Sequence, residues 1–155
     1  MKRKHNFINR LGERWLTNEG YWVIIIEYLG VRDCTIKFDS GLIIENIQYG
    51  NVKRGQIKNP YHPSIYGVGY NGVGRHITKK GSDRKMYNTW LSALERSYCE
   101  KWHLKQPTYI ECTTDEFWYN FQNFGDWYEE NFNPEFMQGW ELDKDILCKG
   151  NKVYS

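Results

Sequence analysis

Hydrophobic and polar positions follow two different rhythms along this chain, one in each half. In residues 21–47 the apolar positions come as short β-branched runs. Residues 21–28 are nearly all apolar and are broken at Gly30, Thr35-Ile36-Lys37-Phe38 alternates, Asp39-Ser40-Gly41 forms a tight turn, and residues 42–47 resume the pattern. Three short strands at such close spacing predict an antiparallel β-meander, small and curled in the SH3-like manner. Residues 1–20, ending in Thr17-Asn18-Glu19-Gly20, read as a lead-in loop, and residues 51–60 read as a basic exit loop.

From residue 88 onward the rhythm is helical. Trp90, Leu94, Tyr98 and Trp102 recur at every fourth position, with Tyr87 and Leu91 widening the stripe, which predicts an α-helix over 88–105 with one buried face. Asn88 or Thr89 can cap its start, and Gln106-Pro107 ends it because proline lacks an amide hydrogen. Thr113-Thr114-Asp115-Glu116 matches a capping box, and Phe117, Phe121, Phe124 and Tyr128 follow at helical spacing, with Gly125 placed to bend the helix. The two aromatic stripes predict an αα-hairpin.

Tyr61-His62-Pro63 is the best internal boundary, dividing a β-module at 1–60 from a second region at 61–155. The segment after it contains Gly67, Gly69 and Gly72 in the order of a dinucleotide fingerprint. That fingerprint must leave a strand and open a helix, whereas here Arg75-His76-Ile77-Thr78 continues as strand and Asn71-Gly72 is a hairpin turn signal. A glycine-rich β-hairpin is the expected structure, followed by a short strand over 84–87. The fold class expected overall is α+β: an SH3-like meander, then a β-hairpin with an αα-hairpin body, and a β-hairpin at the C-terminus.

Composition adds one unusual feature. Of 155 residues 17% are aromatic, which must fill a core or line a surface that stacks on something. No apolar run approaches the ~20 residues that span a bilayer, and the basic start lacks an apolar signal region, so no membrane partner and a cytoplasmic site (of a host cell) are expected. Cys34, Cys99, Cys112 and Cys148 form no C-x-x-C pair and read as free thiols, although Cys99, His103, Cys112 and Cys148 are a conceivable zinc set.

Charge separates the halves more sharply. Residues 1–90 hold 15 Lys and Arg against 7 Asp and Glu, while residues 91–155 hold 6 against 12. The basic half suits a polyanion, with Lys53, Arg54 and Lys58 on the exit loop and Arg75, His76, Lys79, Lys80, Arg84 and Lys85 around the hairpin as candidate nucleic-acid contacts. The acidic half offers Asp115, Glu116, Glu129 and Glu130 as a candidate protein-binding surface.

The last stretch brings a family into view. Asp143 and Asp145 lie on one side of an expected strand, where two carboxylates can share a divalent metal, though an edge strand's polar face has the same pattern. Gly67-Val68-Gly69-Tyr70, Tyr87, Trp90, Arg96, Tyr98, Pro107-Thr108-Tyr109, Trp118, Phe121-Gln122-Asn123-Phe124, Trp127 and Asn131 precede the run Leu142-Asp143-Lys144-Asp145 and the close Lys149-Gly150-Asn151 to Tyr154-Ser155. This order resembles a group of phage and prophage proteins of Gram-positive bacteria described as HNH-endonuclease-like with an Apetala-type DNA-binding region. Residues 12–60 are similar to a small β-module that recurs in the same proteins.

The resemblance implies catalytic positions at Asp143, Lys144 and Asn151, metal positions at Asp143 and Asp145, Mg²⁺ or Mn²⁺ as cofactor if active, and duplex DNA as partner. HNH hydrolysis needs a histidine to activate water and a metal to stabilise the leaving oxygen. Lys144 stands where that base belongs, and the flanking carboxylates would raise its pKa further. The relatives supply a further metal-side residue from a helix beyond the Tyr-Ser pair. A degenerate, DNA-binding remnant is therefore the first expectation. The alternatives are an inhibitor of a host defence nuclease, of the anti-CRISPR kind and directed at a CRISPR effector, and an active nickase.

Overall fold

β-Branched residues favour a pleated, half-buried surface. In a computed structural model the first half of the chain forms a four-stranded antiparallel sheet. The structure describes residues 8–77, 82–133, 135–137, 139, 141–144 and 149–155, with the backbone alone at 82 and 83. The chain divides into two compact units, Met1–Asn59 and Pro60–Ser155, each with its own hydrophobic core.

In the first unit β1 (Arg14–Leu16), β2 (Trp22–Gly30), β3 (Asp33–Phe38) and β4 (Ile43–Ile47) pair in chain order as a meander. Val23, Ile25, Cys34, Ile36 and Phe38 point to one face, which Val52 and Ile57 cover. Register shifts between Ile25 and Glu27 and between Cys34 and Ile36 interrupt the β2–β3 and β3–β4 ladders. Such bulges increase local twist.

Two elements differ from the loops expected there. β1 is a three-residue strand with only Trp15 turned inward, too short for alternation to announce it. α1 (Tyr49–Lys53) is a single turn held by Val52, so Lys53 ends a helix. A polar knot ties both additions together. The Glu13 carboxylate accepts from Arg10 Nη1 (2.9 Å), Trp15 Nε1 (3.2 Å) and the Tyr49 hydroxyl (3.0 Å). Burial pushes that carboxyl up, but these three donors bring it below the ordinary carboxylate value.

In the second unit the aromatic stripe does build a core, from helices with different ends. α2 spans Ser82–Tyr98, so residues 84–87 are helical and not a strand. It stops at Cys99, whose extended backbone (φ −89°, ψ 109°) starts α3 (Glu100–Lys105). The expected continuous helix is thus two. The break leaves the Arg96 carbonyl without its helical partner, and His103 Nε2 donates to it at 2.8 Å. Trp102, carried away with α3, leaves the stripe.

The expected capping box also gives way. Thr113–Thr114 form β5, which pairs in parallel with β6 (Val153–Tyr154). Asp115 then caps a 3₁₀ turn (Glu116–Tyr119) by accepting from Phe117 N, and Asn120 caps α4 (Phe121–Asn131) by accepting from Gln122 N. These caps sit deeper in the chain because β5 claims the threonines. Trp90 of α2 meets Phe121 of α4 with ring centroids 5.2 Å apart, and Trp90 Nε1 donates to the Trp118 carbonyl at 2.6 Å. Met86, Leu94, Phe124, Tyr128 and Tyr154 complete this core.

The glycine-rich segment is not a hairpin. Among residues 66–77 the only ladder contacts are single bridges, Ile65 to Gly69 and Tyr70 to Asn120. Close packing explains a glycine here: a β-carbon on Gly69 would fall 3.2 Å from Trp90 Cζ2 and closer still to Leu94. In the expected C-terminal hairpin, β6 takes β5 as partner and residues 141–144 are not strand, while 145–148 lie outside the described residues.

Candidate nucleic-acid interface

Residues four apart on a helix stand in line along one face. Arg84, Asn88, Ser92 and Arg96 do so on α2, over a row ~18 Å long at 1.5 Å per residue. Lys85, Thr89 and Ala93 flank the row, and with Tyr154 of β6 and Glu141-Leu142 opposite they enclose an open groove of about 490 Å³. Arg84 and Lys85 are exposed at one end.

Among the described residues lining the groove, three cations thus face one carboxylate. Glu141, 84% exposed, reaches Arg96 Nη2 only at 3.9 Å, a distance at which an exposed pair is worth little. Arg96 is oriented from behind, donating from Nη1 to the Leu142 carbonyl at 3.3 Å. Burial pushes the Tyr154 phenol up, while a hydrogen bond with Arg96 pulls it the other way. Lys85 rests its ammonium 4.4 Å from the centre of the Phe132 ring, leaving a cation at the groove edge on an aromatic support. Asn88 and Ser92 add neutral donors between the charges, while the Thr89 hydroxyl donates to the Lys85 carbonyl at 3.0 Å. Such a strip can accept a row of phosphate oxygens.

Arg75 and His76 have a different fate from the one their place near the basic cluster suggests. The His76 side chain is only 2% exposed; its Nε2 donates to Asp126 Oδ1 at 2.9 Å, and Glu129 Oε1 lies 3.8 Å from Nδ1. Arg75 spans the same two carboxylates, at 2.9 Å from Asp126 and 2.6 Å from Glu129. Gln122 closes the arrangement: its Oε1 accepts from His76 N, and its Nε2 donates to the carbonyls of His76 and Asn71. Both expected phosphate ligands are therefore a staple between the 71–77 segment and α4. Hydrogen bonds from His76 and then Arg75 hold the Asp126 carboxyl below its ordinary value.

The other nominated residues disperse. Lys53, Arg54 and Lys58 are exposed on the first unit, with Arg54 hydrogen-bonded to Gln56 and Asn51. Lys79, Lys80, Asp145 and Cys148 lie outside the described residues. Asp143 is exposed, and Lys144 holds its ammonium 5.6 Å from the Tyr109 ring centre. Asn151 closes a loop, donating from Nδ2 to the carbonyls of Lys144 (3.0 Å) and Val153 (2.9 Å). Of the acidic set, Asp115 is a cap and Glu129 is paired with Arg75, while Glu116 and Glu130 are exposed.

His103 is committed to the Arg96 carbonyl, Cys112 is buried, and among the described residues no three His, Cys, Asp or Glu side chains gather as a metal site. Asp126, Gln122 and the groove role of Arg96 were not foreseen. The four-residue spacing from Arg84 to Arg96 carried the signal for the last of these, but the expected helix start at 88 cut it in two.

No family model matches the chain, and no characterised protein or solved structure shows significant similarity to it. No described helix is long and apolar enough to cross a membrane.

Proposed function

We propose that this protein binds nucleic acid, with the α2 groove of the second unit seated on the phosphate backbone. The carrying observation is the line of Arg84, Lys85 and Arg96, with hydroxyl and amide donors between them and one weakly engaged carboxylate opposite. Cations that neutralise phosphates release counterions and give binding that falls steeply with salt. This reading joins the motif resemblance to phage HNH-endonuclease-like proteins: the first unit is taken as the SH3-like module and the second as the HNH-derived body, with duplex DNA as a partner. Hydrolysis is not part of the role. Lys144, in the place of the usual base, holds its ammonium 5.6 Å from the Tyr109 ring centre, and a lysine is a poor base for water at its ordinary pKa.

The test is fluorescence anisotropy of a labelled oligonucleotide across a salt series. Arg84→Ala and Lys85→Ala should each reduce the slope of log K against log salt by about one, irrespective of sequence. Absence of binding at low salt, or slopes equal to wild type, overturns the reading. Plasmid nicking in Mg²⁺ or Mn²⁺ that disappears in Asp143→Ala would assign an active nickase instead. Capture of a nuclease effector that depends on Glu116 and Glu130 would favour the inhibitor.

A further inference from the structure

Resting on that reading, we infer that the groove takes an unpaired nucleotide, with the phosphate on α2 and the base in an adjoining aromatic pocket. A second cavity, of about 320 Å³, opens beside the first and shares Thr89, Glu141 and Leu142 with it. Trp127, Tyr128, Phe132 and Met137 give it an apolar side, and Asn131, Asp143 and Ser155 line the rest. The volume lies within the about 300–1,000 Å³ typical of small-molecule sites. Cations and aromatic rings are thus divided between two connected compartments, as phosphate and π-face are divided between the two ends of a nucleotide.

The aromatic wall is built to be flat. Phe132 stacks on Tyr128 with ring centroids 4.7 Å apart and planes 23° from parallel, and Tyr128 in turn meets Phe124. Phe132 is half-buried, with the Tyr128 ring stacked against it and the Lys85 ammonium over the ring 4.4 Å from its centre, and the rest of the ring lines the pocket. The residue supporting a base therefore also adjoins a cation at the phosphate side. Aromatic platforms of this kind bind bases irrespective of sequence, because every base has a π-face. A base within a duplex is stacked on its neighbours and hydrogen-bonded across the helix, so it cannot enter a pocket without leaving the stack. Unpaired strands, loops or frayed ends are the ligand class this geometry selects. Glu141, which lines both cavities, is an acceptor for exocyclic amino groups.

The experiment uses the full chain and three labelled oligonucleotides of equal length: a single strand, the same strand with abasic sites throughout its centre, and its duplex. The single strand should bind at least about fivefold more tightly than the abasic strand, the effect of stacking one base. The duplex should bind like the abasic strand. Thr89→Trp, which fills the ledge common to the two cavities without removing a cation, should abolish the difference between base-bearing and abasic strands. If abasic and base-bearing strands bind alike while Arg84→Ala still weakens both, the backbone reading stands and the base pocket falls. A Thr89→Trp protein that keeps the full preference also removes the pocket. If no oligonucleotide binds, both fall together.

Discussion

The imidazole of His76 occupies the space that a side chain at residue 125 would fill: a β-carbon added to Gly125 would stand 2.7 Å from His76 Nε2 and nearer to two ring carbons. Glycine inside α4 is therefore a consequence of a buried histidine that arrives from 49 residues earlier in the chain. In an ordinary helix, Gly→Ala stabilises by about 1 kcal/mol. Here overpacking of about 1–3 kcal/mol outweighs that gain. Gly125→Ala should lower the melting temperature, and His76→Ala in the same chain should relieve a measurable part of the loss in a double-mutant cycle. A Gly125→Ala protein more stable than wild type would show that the ring moves aside at no cost.

Asp126 makes the same staple sensitive to acid. Its carboxyl titrates below the ordinary value because His76 and then Arg75 hydrogen-bond to it. A folded pKa below the unfolded one means that the unfolded chain binds the proton more readily, so the contribution to stability is complete above the unfolded value, about 3.9, and is lost as pH falls through the folded one. The difference in melting temperature between wild type and Asp126→Asn should be constant above about pH 5 and shrink below about pH 4. A difference that grows in acid contradicts the pairing.

Tyr98, at the last turn of α2, joins three segments through one oxygen. It lies 2.8 Å from the Tyr119 hydroxyl, accepts from Thr114 N at 3.1 Å and is 3.2 Å from the Thr114 carbonyl. Burial and then this contact with Tyr98 push the Tyr119 phenol well up. Tyr98→Phe keeps the ring and leaves Thr114 N without its acceptor, which should cost about 1–3 kcal/mol in denaturant unfolding. Hydrogen exchange at Thr114 should rise by more than at the centre of α4.

Asn151 offers a direct test of its part in the C-terminal run. With its amide bonded to Lys144 and Val153 carbonyls and its oxygen accepting from Val153 N at 3.1 Å, Asn151→Ala should open the loop and cost about 1–2 kcal/mol. Limited proteolysis after Lys144 or Lys149 should accelerate, and the base preference of the groove should weaken through Tyr154. Unchanged proteolysis would leave the carboxamide without a closing role.

Local periodicity carried much of the architecture. The meander's inner face at Val23, Ile25, Ile36 and Phe38, and the stripe Trp90, Leu94 and Tyr98 facing Phe121, Phe124 and Tyr128, are both legible in the sequence, because a fixed backbone period puts side chains on one face whatever surrounds them. Charges carry no such period. Arg75 and Arg84 look alike in the sequence, yet one is neutralised by Asp126 and Glu129 and the other stands open on a groove. The parallel pairing of Thr113–Thr114 with Val153–Tyr154, and the glycines set against Trp90 and His76, depend on partners 21 to 49 residues away. Contacts between distant residues follow from how the chain closes on itself, and only the tertiary structure decides which cations are left facing solvent.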